Sequence, residues 1–202
     1  MRGARLIETG SARVWRSLAG KLLVASPILD DPNFARSVVL ICTHDRDGAF
    51  GLVLNRPLRA QVTEYLPAWS GPLVPPLKIA CGGSVDVTSA FGLARGVTGE
   101  ATWVSPPIGA VGAAQAGMVD LDAIEALVAA GIDAVRVYSG YAGWTAGQLE
   151  GELLTESWFV VDAVPADPFT ATPEMLWHEV LRRQSRGDLA MFGYYPDDPR
   201  VN

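Results

Sequence analysis

Soft metal ligands are scarce in this chain of 202 residues: it has two cysteines, Cys42 and Cys81, and two histidines, His44 and His178. Neither a C-x-x-C nor an H-x-x-x-H spacing occurs. A tetrahedral zinc site would have to gather nearly every soft side chain present, so no metal centre is expected. Both cysteines lie in apolar surroundings, "VVLICT" and "LKIACGG", the setting of buried free thiols in a reducing compartment. Basic charge is also in deficit, with a formal net charge of −6. Direct DNA binding needs a basic footprint and is not expected, and no helix-turn-helix pattern is visible. Arg2, Arg5, Arg13 and Arg16, and Arg182, Arg183 and Arg186, read as solvated positive faces on an acidic protein. No segment approaches the roughly 18 apolar residues of a spanning helix. The stretch "LLVASPIL" is broken by Ser26 and Pro27 and ends in Asp30-Asp31, unlike the apolar core of a leader. The expected location is the cytoplasm, away from membranes. The phosphate-loop pattern G-x-x-x-x-G-K-[ST] and the dinucleotide pattern G-x-G-x-x-G are absent, and no cofactor is expected.

What is present is ordinary globular composition, 49% hydrophobic and 19% charged. There are no internal repeats and no linker. One domain over residues 1–202 is expected, with 1–16 a loosely attached extension. "KLLVAS" reads as a strand, and Asp31-Pro32 as the start of a single turn. Ser37 to Thr43, apolar on both parities, suits a strand buried on both faces. "HDRDG" is a turn and "AFGLVLN" the returning strand. Folding about a four- or five-residue loop sets Ser37 opposite Leu54 or Asn55. Arg36, Asn55 and Arg56 then share one end of the hairpin. His44 lies at the other end, about 20 Å away at ~3.4 Å per residue.

Further along, "LKIA" is a short strand, "TWVS" another, and "SPPIGAVGAAQAG" a loop. "DLDAIEALVAAG" is a helix closed by Gly131. "DAVRVYS" and "SWFVVDA" are strands. "TAGQLEGELL" is a helix whose Thr145 and Gln148 have capping-box spacing. "TPEMLWHEVLRR" is a helix with His178 at its rim, and "LAMFGYY" a last strand. A hairpin mixed with strand–helix–strand units suggests α+β with a mixed sheet.

Two glycine-rich turns draw the eye to a site: "CGG" at Cys81, Gly82 and Gly83, and "YSGYAGWTAGQLE" from Tyr138. The second places Ser139, Gly140, Tyr141, Trp144 and Gln148 between a strand and a helix, where backbone N–H groups and a positive helix end can receive an anion. Ser139 also invites a nucleophile reading, although "VYSGY" lacks the first glycine of G-x-S-x-G. The competing reading is that these glycines only let the protein's own elements pack closely. Arg36 and Arg56 repel unless an anion or a carboxylate such as Asp30 or Asp31 lies between them. The two carboxylates of "HDRDG" read as turn formers.

"SLAGKLLVASPILDDPNFARSVVLICTHDRDGAFGLVLNRP", "CGGSV" and "YSGYAGWTAGQLEGEL" together resemble the YqgE/AlgH family of bacterial proteins, and the closing "PDDPRVN" resembles its actinobacterial members. The resemblance spans about Ser17 to Asn202. It implies one α+β domain whose bent, bifurcated sheet forms a pseudo-barrel with flanking helices. The founding name implies transcriptional regulation, but no DNA-binding motif and no catalytic activity come with it. Relatives carry a proline where Ser84 stands, so the surface from Ser84 to Gly117 transfers least securely. The expected function is a non-catalytic protein binding a small molecule or a protein partner, in a regulatory role. The candidate binding residues are Arg36, Asn55, Arg56, Gly82, Gly83, Ser139, Gly140, Tyr141, Trp144 and Gln148. The rival is a small hydrolase using Ser139 or Cys81.

Overall fold

The computed structural model describes residues 16–69, 72–96, 108–111, 114–185 and 187–196. Its first wing is built on β1 (Lys21–Ala25), β2 (Val38–Asp45) and β3 (Gly48–Val53). The two parities of β2 are apolar because both faces are covered. Val38 and Leu40 pack into one core with Leu22, Leu52 and Trp177. Val39 and Ile41 pack into another with Leu23, Val53, Trp144 and Trp158. The hairpin therefore sits inside the sheet, as its sequence requires. On the far side of β1, β10 (Trp158–Asp162) pairs antiparallel from Lys21↔Asp162 to Ala25↔Trp158.

The hairpin loop is tighter than its sequence suggests. Asp45 pairs with Gly48, leaving two residues in the loop, and a bulge between Ile41 and Thr43 absorbs the difference. The far end keeps the expected register: Val39 pairs with Val53, and the Leu54 N–H donates to the Val38 carbonyl at 2.8 Å. Beyond Arg56 the chain adds an unanticipated strand, β4 (Pro57–Gln61), and a single turn, α1 (Val62–Tyr65). β4 pairs with β5 (Lys78–Cys81).

Three strands follow between Ser84 and Asp120: β6 (Val85–Gly96), β7 (Ile108–Val111) and β8 (Ala114–Val119). The expected loop "SPPIGAVGAAQAG" thus holds β7 and the start of β8. Alanine and glycine carry little strand preference of their own; pairing of β8 with Gly92–Gly96 of β6, and of β7 with β8, overrides it. The strand expected at "TWVS" lies outside the described residues, as do residues 1–15 of the expected extension. α2 (Ile124–Ala129) ends at Gly131, whose φ of +83° suits the position after a helix end.

β9 (Ile132–Thr145) is the central strand and the point where the sheet forks. One edge carries β6, from Val85↔Tyr141 to Gly96↔Ile132. The other edge is shared in succession by β5, at Tyr138 and Ser139, and by β3, at Ala142 to Thr145. The stretch read as a glycine-rich turn is therefore strand as far as Thr145. Its glycines let strands meet at the fork, not reverse the chain.

α3 (Gln148–Leu154) covers the Trp144–Trp158 face. A short 3₁₀ turn, Pro173–Met175, leads into α4 (Leu176–Arg182) on the opposite core. "LAMFGYY" is not a strand. Its first part is helix α5 (Gly187–Phe192), with Leu189 and Phe192 one turn apart against the body of the protein and Met191 exposed. The strand order is β10-β1-β2-β3-β9-β6-β8-β7, and the sheet is not closed, so the expected pseudo-barrel is an open, forked sheet. The class is α+β in one domain, as expected. Among the described residues no helix is long and apolar enough to cross a membrane.

Candidate functional site

The candidate residues fall into two groups. Arg36, Asn55 and Arg56 do meet at one end of the β2–β3 hairpin. The Asn55 amide closes that end: its Oδ1 accepts the Val38 N–H and its Nδ2 donates to the Arg36 carbonyl, both at 2.9 Å. Arg56 donates to the carbonyls of Pro32 and Ala35 at 3.0 and 2.9 Å. Arg36 donates to the Pro196 carbonyl and lies 5.0 Å over the Trp177 ring. Each guanidinium group is thus engaged by backbone carbonyls. The Asp31 carboxylate instead accepts the Asn33 N–H at 2.7 Å and shapes the turn.

The second group gathers at the fork. The Gly82 N–H donates to the Ser139 carbonyl, and the Val53 N–H donates to the Gly82 carbonyl, each at 2.8 Å. The "CGG" segment therefore wedges between β3 and β9 beside Ser139 to Tyr141. The approach is tight. A Cβ on Gly82 would lie 2.2 Å from the Gly140 oxygen, and one on Gly83 would lie 2.1 Å from the Tyr141 carbonyl. Gly140 has φ +69° with the Val85 and Gly83 oxygens around it. Only glycine fits backbones this close.

The Ser139 hydroxyl donates to the Val87 carbonyl, and the Cys81 thiol makes a weak contact of 3.6 Å with the Gly83 carbonyl. Trp144 is 6% exposed, in the core formed with Trp158 and Phe34. Tyr141 is half-buried, its ring centre 4.8 Å from that of Phe50 and 5.7 Å from that of Phe91. Phe50, Val85 and Tyr141 help to wall a shallow depression of about 500 Å³ whose polar rim includes Thr43, Asp45 and Asp47. Gln148 lies beyond it, its Oε1 accepting the Thr145 N–H at 3.1 Å. That is half of the expected capping box, because Gly147, not Thr145, stands at the helix start.

Several functional groups escaped sequence reasoning. Glu152 accepts both indole N–H groups, from Trp144 at 2.9 Å and from Trp158 at 2.8 Å. Nothing in the helix pattern announces this, because it depends on two aromatics brought together by different strands. His44 is held by parts of the chain far from its hairpin. Its Nδ1 accepts the Leu18 N–H at 3.0 Å, which puts the ring proton on Nε2, 3.0 Å from a Glu150 carboxylate oxygen. His178 is buried, not at a rim, with Nδ1 2.9 Å from the Gly193 carbonyl. Arg136 is buried on β9, and one of its nitrogens donates to the carbonyls of Pro75 and Thr170 at 2.8 and 2.7 Å. Burial lowers the Arg136 pKa against the pull of Tyr138 and Glu174. Burial raises those of Tyr138 and Cys42, keeping both neutral. Among the described residues no cluster of three or more metal-ligating side chains occurs.

The AlgH-like family model matches residues 22–188. A UPF0301 protein of Streptomyces coelicolor is 48% identical over 189 residues, covering 92% of this chain and 96% of the relative. A UPF0301 protein of Mycobacterium tuberculosis is 40% identical over 183 residues, covering 91% and 90%. The crystal structure of a protein from Corynebacterium diphtheriae superimposes with a TM-score of 0.74 at 29% identity, covering 87% of this chain and 91% of that one. The solution structure of AlgH from Pseudomonas aeruginosa gives a TM-score of 0.63 at 27% identity, covering 98% and 100%. With a family model over most of its length and relatives this similar across nearly the whole of it, the chain belongs to the AlgH-like family.

Proposed function

We propose that this AlgH-like protein is a non-catalytic, cytoplasmic binding protein with a regulatory role. It takes a small molecule or a protein partner at the depression walled by Phe50, Val85 and Tyr141. The observation that carries this reading is how the side chains that could serve as nucleophile or base are used. The Ser139 hydroxyl and the Cys81 thiol both turn onto backbone carbonyls. Both ring nitrogens of His44 are engaged by Leu18 and Glu150, and Nδ1 of His178 by Gly193. A nucleophile needs a base in hydrogen-bond reach, and these contacts commit the groups elsewhere. Tyr141, by contrast, presents part of an amphipathic ring to an open concavity, the kind of surface that anchors ligands and partners.

The test is a thermal-shift screen of a metabolite library on the wild type and on Thr43→Arg. Thr43 is exposed on the rim, so an arginine there obstructs the depression with little effect on stability. A ligand at a hundred times its Kd stabilises by about 2.7 kcal/mol. The shift should be present in the wild type and lost in the variant. Shifts undiminished in Thr43→Arg would refute the location. Ester hydrolysis abolished by Ser139→Ala would favour the hydrolase instead.

A further inference from the structure

We infer that a second cavity, on the other side of α3 and sharing no lining residue with the Tyr141 depression, binds a small amphipathic cation: an amine carried on an apolar body. The cavity lies where the end of β1, the start of β10, the end of α3 and α5 converge, and it encloses about 420 Å³. That lies within the range of small-molecule sites. Its walls are apolar. Leu153, Trp158, Phe159, Leu189 and Phe192 line it, and the Phe159 and Phe192 rings stack with centroids 5.7 Å apart. Ile28 stands at the mouth, 75% exposed.

Two polar features select the ligand. The first is Ser26, which lines the cavity, is only 3% exposed, and has an Oγ without a hydrogen-bond partner. Its backbone is already satisfied, the N–H by the Ser157 carbonyl and the carbonyl by the Leu29 N–H, each at 3.0 Å. A buried hydroxyl left unpaired is costly, and a polar ligand group relieves that cost. The second is the charge of the lining. Among the described lining residues Glu156 contributes an exposed carboxylate, and no lysine or arginine occurs. Glu156 sits just past the end of α3 with φ +56°. Glycine would hold this left-handed position without strain. The protein therefore presents a carboxylate at the mouth where backbone geometry favours no side chain. Apolar walls with an acidic mouth fit a hydrophobic body ending in an ammonium group and disfavour an anion.

The inference is tested with three probes that differ only in the head group on a phenylbutyl body: 4-phenylbutylamine, 4-phenylbutanol and 5-phenylpentanoate. Each is titrated at low salt into the intact protein by calorimetry and followed by amide chemical shifts. The amine should bind saturably and move the amides of Ser26, Leu189 and Phe192. The alcohol should bind roughly two- to fivefold more weakly, the scale of one exposed charge pair, and the acid more weakly still. Glu156→Gln, at an exposed position, should remove most of the amine's advantage while leaving alcohol binding intact. Equal affinities for the three probes, no saturable binding at millimolar concentration, or an amine preference unchanged in Glu156→Gln would overturn the inference. Shifts at Thr43, Phe50 and Tyr141 instead would also overturn it, while leaving the proposed function of the first depression standing.

Discussion

The wing formed by β10, β1, β2 and β3 and the fork at β9 are held together by different means. In the wing, adhesion comes from side chains. Leu22, Leu23, Val38, Val39 and Ile41 are fully buried on alternating faces, and two indoles lie over one of them. At the fork it comes from backbone. Gly82, Gly83 and Gly140 bring three segments within van der Waals limits. The groups buried there include Arg136 and Tyr138, each with a polar atom that lacks a partner. The difference teaches how the two should respond to change. Side-chain packing yields to deletions, whereas backbone packing yields to additions.

The largest effect is expected from the smallest addition. Gly83→Ala places a methyl 2.1 Å from the Tyr141 carbonyl, and no side chain can swing away to admit it. A loss of at least ~4 kcal/mol, an exceptional value for one methyl, should appear in urea unfolding or as a failure to accumulate soluble protein. Gly147→Ala is the matched control. Gly147 has φ +76° but nothing within 4 Å, so only about 1–2 kcal/mol of backbone strain applies. If the two substitutions cost the same, the fork does not depend on close backbone contact.

The corresponding experiment is a deletion in the wing's core, into which β9 sends Trp144. Trp144→Ala empties a buried site between Phe34 and Trp158 and should cost about 3–5 kcal/mol. Trp144→Phe keeps most of the packing and removes one donor from Glu152. It should cost about 1.5–3 kcal/mol, the scale of a hydrogen bond to a charged group. Denaturant midpoints of the pair separate packing from hydrogen bonding. A Trp144→Ala loss below 1 kcal/mol would make Trp144 a surface residue in energetic terms and remove it from that core.

This contrast also explains what could be read from the chain alone. The wing was legible because hydrophobicity on both parities of "SVVLICT" has one physical meaning, burial on two faces. Even a misjudged loop left the far register intact, since the bulge near Cys42 compensated. The fork was legible as a place but not as a structure. Dense glycine marks both a turn and a close approach, and "YSGYAGW" was read as the first when it is the second. β7 and β8 were hidden because alanine and glycine carry no period, and their strand form comes from pairing, of β8 with β6 and of β7 with β8. "LAMFGYY" has apolar residues on both helical and strand spacings, and contact of Leu189 and Phe192 with the body settled the matter. The Glu152 clamp needed three separate elements in place before any pattern existed.

Alkaline pH probes both regions through one buried group in each. Burial raises the pKa of Cys42, in the wing, from its ordinary 9.0, and that of Tyr138, at the fork, from its ordinary 10.0. A raised pKa means that the folded state keeps its proton while the unfolded state loses it. Stability from these groups is therefore complete below about pH 9 and declines as pH rises. The slope is about 1.4 kcal/mol per pH unit for each group fully engaged. Urea midpoints from pH 8 to 11 should fall. Cys42→Val should flatten the part that begins near pH 9, and an unchanged profile in that variant would show that the thiol is not shielded as its burial implies.

The smallest effect is expected from Tyr138→Phe, and it discriminates most sharply between the two kinds of packing. Tyr138 is 0% exposed and its hydroxyl has no hydrogen-bond partner, so the folded state bears the desolvation of that group without compensation. Phenylalanine keeps the ring and its contacts and removes only the oxygen. The change should therefore lie between neutral and about 1 kcal/mol stabilising at pH 7, and it should also remove the decline in stability that begins near pH 10. In the wing, by contrast, every deletion is expected to destabilise. A loss above 1 kcal/mol would mean that the hydroxyl does have a partner. Arg136 Nε is the other unpaired polar atom of β9, two residues away on the same strand face. A buried water bonded to both would account for such a loss. Tyr138→Phe and Arg136→Met would then be non-additive in a double-mutant cycle, whereas two independently orphaned groups give additive changes.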